Sequence, residues 1–262
     1  MLASSPLRAT IFDHDDRITA RADINGAYAP IGLVWADKLA TGFLVDNCHV
    51  LTVQHVFGQV QSPMGREVVF GALIADQTHW TWSWGKVIAT GRMELATDYD
   101  AARAADWALL KLRQCLGTTV GYVTLVSGPP DDLPELQSAG YPSDRKYVEG
   151  ITIDPACRMH GARRGLWLND CAALEGNSGS PIFSQIGGRS RLQVYAIQSA
   201  AYGFANHSFT YDAHIANVAT PTSAILPHIR KFLTISPSRA ATGAQLAKVI
   251  VLPAAPCAAE PC

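Results

Sequence analysis

Three residues of the 262-residue chain have the types and the order that nucleophilic catalysis requires: His55, Asp106 and Ser178. Ser178 stands in Gly176-Asn177-Ser178-Gly179-Ser180-Pro181, with glycines on both sides. A serine hydroxyl is a poor nucleophile at neutral pH, so it needs an imidazole within hydrogen-bond reach to take its proton. His55, closing Leu51-Thr52-Val53-Gln54-His55, is the candidate base. An imidazole that becomes cationic in the transition state needs a carboxylate to fix its tautomer and stabilise the charge. Asp106, opening Asp106-Trp107-Ala108-Leu109-Leu110-Lys111-Leu112, fits that role. Glycine at 176 lets the backbone approach closely, which makes the amides of Gly176 and Ser178 the candidate oxyanion hole. A strand-to-helix serine elbow is the other serine reading, but it wants glycine at 180 and a chain of alternating strands and helices. Position 180 is serine, and although Asp212 and His228 do follow Ser178, the alternating pattern is absent.

The elements that must carry these residues read as strands. Thr41-Gly42-Phe43-Leu44-Val45 and Cys48-His49-Val50-Leu51-Thr52-Val53, joined at Asp46-Asn47, form an expected hairpin that delivers His55 just past a strand end. Residues 68–74 and 107–112 are expected strands, and 165–168, 180–183 and 192–197 supply the second half. Short strands broken by Gly, Pro, Asn and Asp point to a sandwich or barrel rather than a parallel sheet. One helix is expected near the end, where Ile225, Leu226, Ile229, Phe232 and Leu233 recur at helical spacing after Thr220-Pro221-Thr222.

With these residues in place, the chain resembles the chymotrypsin-like (trypsin superfamily) serine proteases, most of all their bacterial V8-like, glutamyl-endopeptidase branch. Asp15-Asp16-Arg17 and Gly26-Ala27-Tyr28-Ala29-Pro30-Ile31 are similar to that branch's amino-terminal segment. Residues 116–122 and Ser138-Ala139-Gly140-Tyr141-Pro142 are similar to its inter-barrel and second-barrel segments, so the resemblance runs from about 13 to about 233. It implies an all-β fold of two six-stranded antiparallel β-barrels with a C-terminal α-helix, the site lying in the cleft between them. The expected organisation is an arm at 1–25, a first barrel at 26–120 with His55 and Asp106, a second at 121–235 with Ser178, and a tail at 236–262. The implied activity is peptide-bond hydrolysis through an acyl-enzyme on a polypeptide substrate, without cofactor or metal, by a monomer.

Substrate preference departs from the branch. Ala172 and Ala173 occupy the floor of the primary pocket and supply no fixed charge, which disfavours a cationic substrate side chain. Where glutamyl specificity leans on a histidine and a threonine, this chain carries Gln198 and Ala173. Ser199-Ala200-Ala201 is the expected edge that pairs with substrate backbone, with the Ser199 hydroxyl near Asp106. Small or medium uncharged side chains are therefore expected, with His207 the one residue that would restore acidic preference from the far wall. A protease fold that serves only as a binding module is the alternative from another class, but His55, Asp106, Ser178 and Gly176 are all retained.

The six cysteines leave their pairing open on spacing alone. Related sequences bridge the positions of Cys157 and Cys171, and a Cys48–Cys115 bond would tie together the elements that present His55 to Asp106. Cys257 and Cys262 in the Ala/Pro-rich tail are expected to close on each other, the alternative being that they stay free. Disulfides point to an oxidising compartment, secreted or periplasmic, although Met1–Arg8 shows no apolar signal core. In many family members a freed amino terminus completes the site, and Thr10 or Ile11 matches that place; Asn177 in place of an aspartate argues against such a salt bridge here. A net charge of −1 with no basic stripe argues against nucleic acid, and no apolar run is long enough to span a bilayer. Trp80, Trp82 and Trp84 alternate onto one strand face and are expected to pack in the core or cover a barrel flank rather than form a sugar platform. Asp13-His14-Asp15-Asp16 is read as a solvated turn, not a metal site.

Overall fold

The computed structural model describes residues 10–21, 26–58, 62–73, 79–128, 135–185, 191–201, 208–233 and 250–251. The expected hairpin forms. The first six long strands are β1 (Ile31–Trp35), β2 (Leu39–Leu44), β3 (His49–Thr52), β4 (Glu67–Leu73), β5 (Trp80–Thr90) and β6 (Ala108–Leu112). They close into an antiparallel barrel in the order β1-β2-β3-β6-β5-β4. Closure leaves no free edge, which removes the row of unpaired backbone groups that an open sheet presents.

The second half is a larger sheet whose long strands are all antiparallel. Its members β7 (Leu136–Gly140), β8 (Ile151–Cys157), β9 (Met159–Arg163), β10 (Leu166–Asn169), β11 (Pro181–Ser184), β12 (Gln193–Ala200) and β13 (Asn217–Pro221) run in the order β9-β10-β13-β12-β11-β7-β8. Two short strands extend this path beyond β8: Ile18–Arg21 pairs with Ile151–Ile153, and Ile250–Val251 pairs with Arg21 and Ala20 in turn. Thr124–Leu125 adds a parallel contact to β12. This is the all-β class expected from the sequence, a closed six-stranded barrel joined to a second, larger sheet that holds more than the six strands expected of it.

One apolar cluster links the two halves, from Val34, Phe43, Phe70 and Leu110 to Ile153, Phe183 and Ile197. Each such side chain, fully withdrawn from water, contributes about 1.5–3 kcal/mol. The helix Thr222–Ile229 adds Ile225 and Ile229 to the cluster. Its start is fixed by Pro221 in extended conformation and by the Thr222 hydroxyl, which donates to the Tyr195 carbonyl at 2.8 Å. It ends before the expected Phe232 and Leu233, which pack against the cluster from the turn that follows. Pro227 lies inside the helix, where it supplies no N–H and weakens the ladder.

Both expected bridges in the described residues are present, Cys48–Cys115 and Cys157–Cys171. The first joins the β3 hairpin to the residues just after β6. The Cys257 and Cys262 pair lies outside the described residues.

The tryptophan strip divides along its length. Trp80 is half-buried at the junction of the barrels, stacked on Trp82 at 5.2 Å and against Tyr141 at 5.5 Å. Trp82 covers Gly71 on the neighbouring strand, where a methyl group would meet the indole. Trp84 stands largely in solvent, so flank cover describes the inner two indoles and not the third.

Candidate active site

Register brings the histidine and the aspartate together. In the β3–β6 ladder Thr52 lies opposite Ala108, so the residues just past one strand and just before the other meet at the same end of the barrel. His55 sits in the single helical turn Gln54–Phe57 that follows β3. Its Nδ1 is 2.7 Å from Asp106 Oδ2, and its backbone N–H donates to Asp106 Oδ1 at 2.9 Å. His55 Nε2 is 2.9 Å from Ser178 Oγ. With the ring proton on Nδ1 and hydrogen-bonded to the carboxylate, the Nε2 lone pair faces the serine hydroxyl, which is what proton removal from Ser178 requires.

Asp106 is fully buried and surrounded by donors. Besides His55, the Ser199 hydroxyl donates to Oδ2 at 2.6 Å and Arg103 Nη1 donates to it at 3.1 Å. Burial alone would push this carboxyl up, but the charge and hydrogen bond of His55, the Arg103 guanidinium and the Ser199 hydroxyl outweigh burial and hold it below the usual carboxylate range. The Ser199 contact was expected, whereas the Arg103 contact was not.

The loop that carries Ser178 is shaped by two glycines at φ +94° and φ +87°, Gly176 and Gly179. A side chain at 176 would meet the Tyr141 carbonyl at 2.3 Å, and one at 179 would meet the Thr41 carbonyl at 2.1 Å, so both positions lack room as well as conformational tolerance. Within the loop the Asn177 side-chain oxygen accepts the Leu174 N–H at 3.1 Å, and the Asn177 carbonyl accepts the Ser180 N–H at 2.8 Å. Among the described residues neither the Gly176 nor the Ser178 N–H is spent on another carbonyl, which leaves both amides open to an oxyanion.

The first barrel fastens this loop directly through Thr41 on β2. The Thr41 N–H donates to the Ser178 carbonyl at 2.9 Å, and its hydroxyl donates to the Gly176 carbonyl at 2.7 Å while accepting the Tyr141 N–H at 3.1 Å. Thr52 on β3 in turn donates its hydroxyl to the Thr41 carbonyl at 2.7 Å.

A family profile described as Trypsin matches residues 22–229, which spans most of the chain and includes all three of these side chains. The chain belongs to the trypsin family. Membership makes it a serine-type peptidase. No protein among the curated sequences matches it. Among solved structures, a Glu endopeptidase in complex with MPD superposes with a TM-score of 0.60 at 16% identity, covering 85% of this chain and 98% of that one. A protease named Rv3671c, in an inactive form, gives a TM-score of 0.52 at 16% identity, covering 79% of this chain and 91% of that one. These likenesses carry the fold.

The residues of this trypsin-family chain that were expected to line the primary pocket differ in burial. Ala172, Ala173, Gln198 and Ser199 are buried, and Ala200 and Ala201 are half-exposed. Thr10 exchanges backbone hydrogen bonds with Ala173, at 2.9 and 3.0 Å, so Thr10 itself lies against Ala173. The Gln198 amide donates to the Ala200 carbonyl at 3.0 Å, and its own oxygen is buried without a partner among the described residues. His207 lies outside the described residues.

Two charged groups near the site were not legible from sequence. Asp154 on β8 accepts the Ala172 N–H at 2.6 Å, and burial, with smaller contributions from Asp16 and Asp170, pushes its carboxyl up to about 6. Arg17, its side chain almost wholly buried, pairs with Asp15 at 2.7 Å and with Asp144 at 2.7 Å. That pair ties the amino-terminal segment to the stretch whose Ser143 N–H donates to the Glu175 carbonyl beside Gly176. Asp15 is therefore committed to arginines, Arg17 and Arg145, rather than standing in a free acidic turn. None of these contacts has a local sequence signal.

Proposed function

We propose that the chain is a serine endopeptidase in which His55, Asp106 and Ser178 act as the catalytic triad. The observation that carries this reading is the unbroken series Asp106–His55–Ser178, with links of 2.7 and 2.9 Å. Ser178 Oγ attacks the substrate carbonyl carbon while its proton passes to His55 Nε2. The carbonyl oxygen takes up negative charge and is held by the N–H groups of Gly176 and Ser178. His55 then returns the proton to the amine as the peptide bond breaks, leaving an acyl-enzyme on Ser178. A water molecule, deprotonated by the same imidazole, releases the second product.

Substrate chain pairs with the edge at Ser199-Ala200-Ala201, and its primary side chain enters between Ala172–Ala173 and Gln198. With alanines at the floor, and with Asp154 holding the Ala172 N–H rather than facing the pocket as a free charge, uncharged side chains are favoured. The two disulfides fit an oxidising, extracytoplasmic compartment.

Labelling with a fluorophosphonate tests the triad. Wild-type protein should label and Ser178→Ala should not; a wild type that stays unlabelled under oxidising conditions overturns the reading. A peptide library tests the preference, and strong cleavage after Glu, Lys or Arg would refute it.

A further inference from the structure

Arg103 occupies an unusual place for a permanent cation, in hydrogen-bond contact with the carboxylate that supports His55. It lies in the last turn of the short helix Tyr99–Ala104, whose start is capped by Asp98 accepting the Ala101 N–H at 2.9 Å. The Arg103 backbone is held from two sides, its carbonyl accepting the Asp106 N–H at 3.1 Å and the Thr220 hydroxyl at 2.8 Å. Its guanidinium lies over the Tyr99 ring at 5.2 Å, is 18% exposed, and has its Nε buried without a partner among the described residues. The anchored backbone and the stacked ring leave the fork little freedom, so the contact to Asp106 Oδ2 at 3.1 Å is a fixed feature of the site.

Three donors converge on that single oxygen: His55 Nδ1, Ser199 Oγ and Arg103 Nη1. Of the three, only the guanidinium brings a permanent positive charge. A fixed positive charge on the same carboxylate repels a second, the protonated imidazole, and so offsets part of the stabilisation that Asp106 gives it.

We propose that Arg103 is a positioning residue that shares the charge of Asp106 with His55 and thereby extends the activity of the enzyme toward acidic pH. The proposal rests on the triad reading above. Other ionisable groups surround this pair. Glu94, from the turn Met93–Leu95, accepts a hydrogen bond from Gln54 at 2.7 Å. Asp98 and Asp100, on Arg103's own helix, pair with Arg164 and Arg163. His228 stacks on Trp107 at 5.8 Å. The strands β12 and β13 present Ser199 and Thr220, which do not titrate in this range.

The test is the rate of fluorophosphonate labelling of the full chain between about pH 5 and 9, for wild type, Arg103→Gln, Arg103→Met and Arg103→Lys, with thermal unfolding measured alongside. Labelling requires neutral His55, so its acid limb reads the quantity in question. In the glutamine and methionine variants the midpoint of the limb should move up by about half to one pH unit, as expected for a partly exposed charge at an effective dielectric of about 20 or more. The rate on the alkaline plateau should stay within about threefold. Arg103→Lys should keep the limb of the wild type. A limb unmoved in a folded Gln or Met variant, with rates lowered equally at every pH, would make Arg103 a structural residue only and overturn the proposal. Should neither of those variants fold, the lysine variant decides: retention of the wild-type limb supports the charge argument and displacement of it refutes it. Failure of the wild type to label would instead sink the triad itself.

Discussion

Replacing Thr41 by valine tests whether the first barrel holds the serine loop in shape. Valine keeps the volume and branching of threonine and deletes only the hydroxyl, which is fully buried. Two groups lose their partner: the Gly176 carbonyl, which accepts from that hydroxyl at 2.7 Å, and the Tyr141 N–H, which donates to it at 3.1 Å. A buried polar group left unsatisfied costs about 1–3 kcal/mol, so the variant should lose about 2–5 kcal/mol of unfolding free energy in urea. Catalysis should suffer as well, because the freed carbonyl belongs to Gly176, whose amide is one of the two oxyanion donors in the proposed mechanism. Complete removal of such a donor lowers turnover roughly 10²–10³-fold, and a loosened one should lie below that, about 10- to 100-fold in kcat with a smaller change in KM. Thr41→Ser, which restores the hydroxyl, should recover most of both losses. If the valine variant unfolds within about 0.5 kcal/mol of wild type and turns over within about twofold, the strap from Thr41 contributes nothing and the reasoning fails.

Three further outcomes are expected. Ser199→Ala removes the 2.6 Å donor to Asp106 and should lower kcat about 10-fold with KM nearly unchanged, measured by steady-state hydrolysis; an unaltered kcat would show that Asp106 needs no such support. Asp154 keeps its proton in the folded state up to about pH 6, whereas the unfolded chain releases it near the ordinary 3.8; folded stability therefore falls across that window and stays lower above it. Asp154→Asn lacks this ionisation, so relative to wild type it should gain about 3 kcal/mol between pH 3.5 and pH 7.5 in urea unfolding, and a pH-independent difference would contradict the assignment. Cys48 and Cys115 close a loop of 67 residues and Cys157 and Cys171 one of 14, so the double serine variants should lose roughly 4 and 3 kcal/mol if chain entropy dominates. The opposite order would mean that native contacts, not loop length, set the difference.

What could be read in the sequence was what depends on local type and pattern. His55, Asp106 and Ser178 were legible because each needs a particular side chain beside particular neighbours, and the glycines at 176 and 179 because the turn requires them. The hairpin around Asp46–Asn47 showed itself by alternation and turn residues. Contacts that depend on distant pairing were not legible. Thr41 reads as an ordinary strand residue until register sets it against Gly176, 135 positions away. Arg17 reads as part of a charged arm until it meets Asp144, 127 positions on. Arg103 is close to Asp106 in sequence, but many helices carry arginine in their last turn, and only the buried endpoint gives this one meaning. The helix beginning at Thr222 ends earlier than its apolar spacing suggests, and Pro227 inside it weakens the ladder that would carry it further.

The pairing of Ile18–Arg21 with Ile151–Ile153 also sets an order of events during synthesis. A closed barrel spanning residues 31–112 has all its strands as soon as that stretch has left the ribosome. The segment Ile18–Arg21 must then wait until the chain has been made through Ile153, well past the barrel's last strand, so residues that emerge before the barrel join the second sheet only after it.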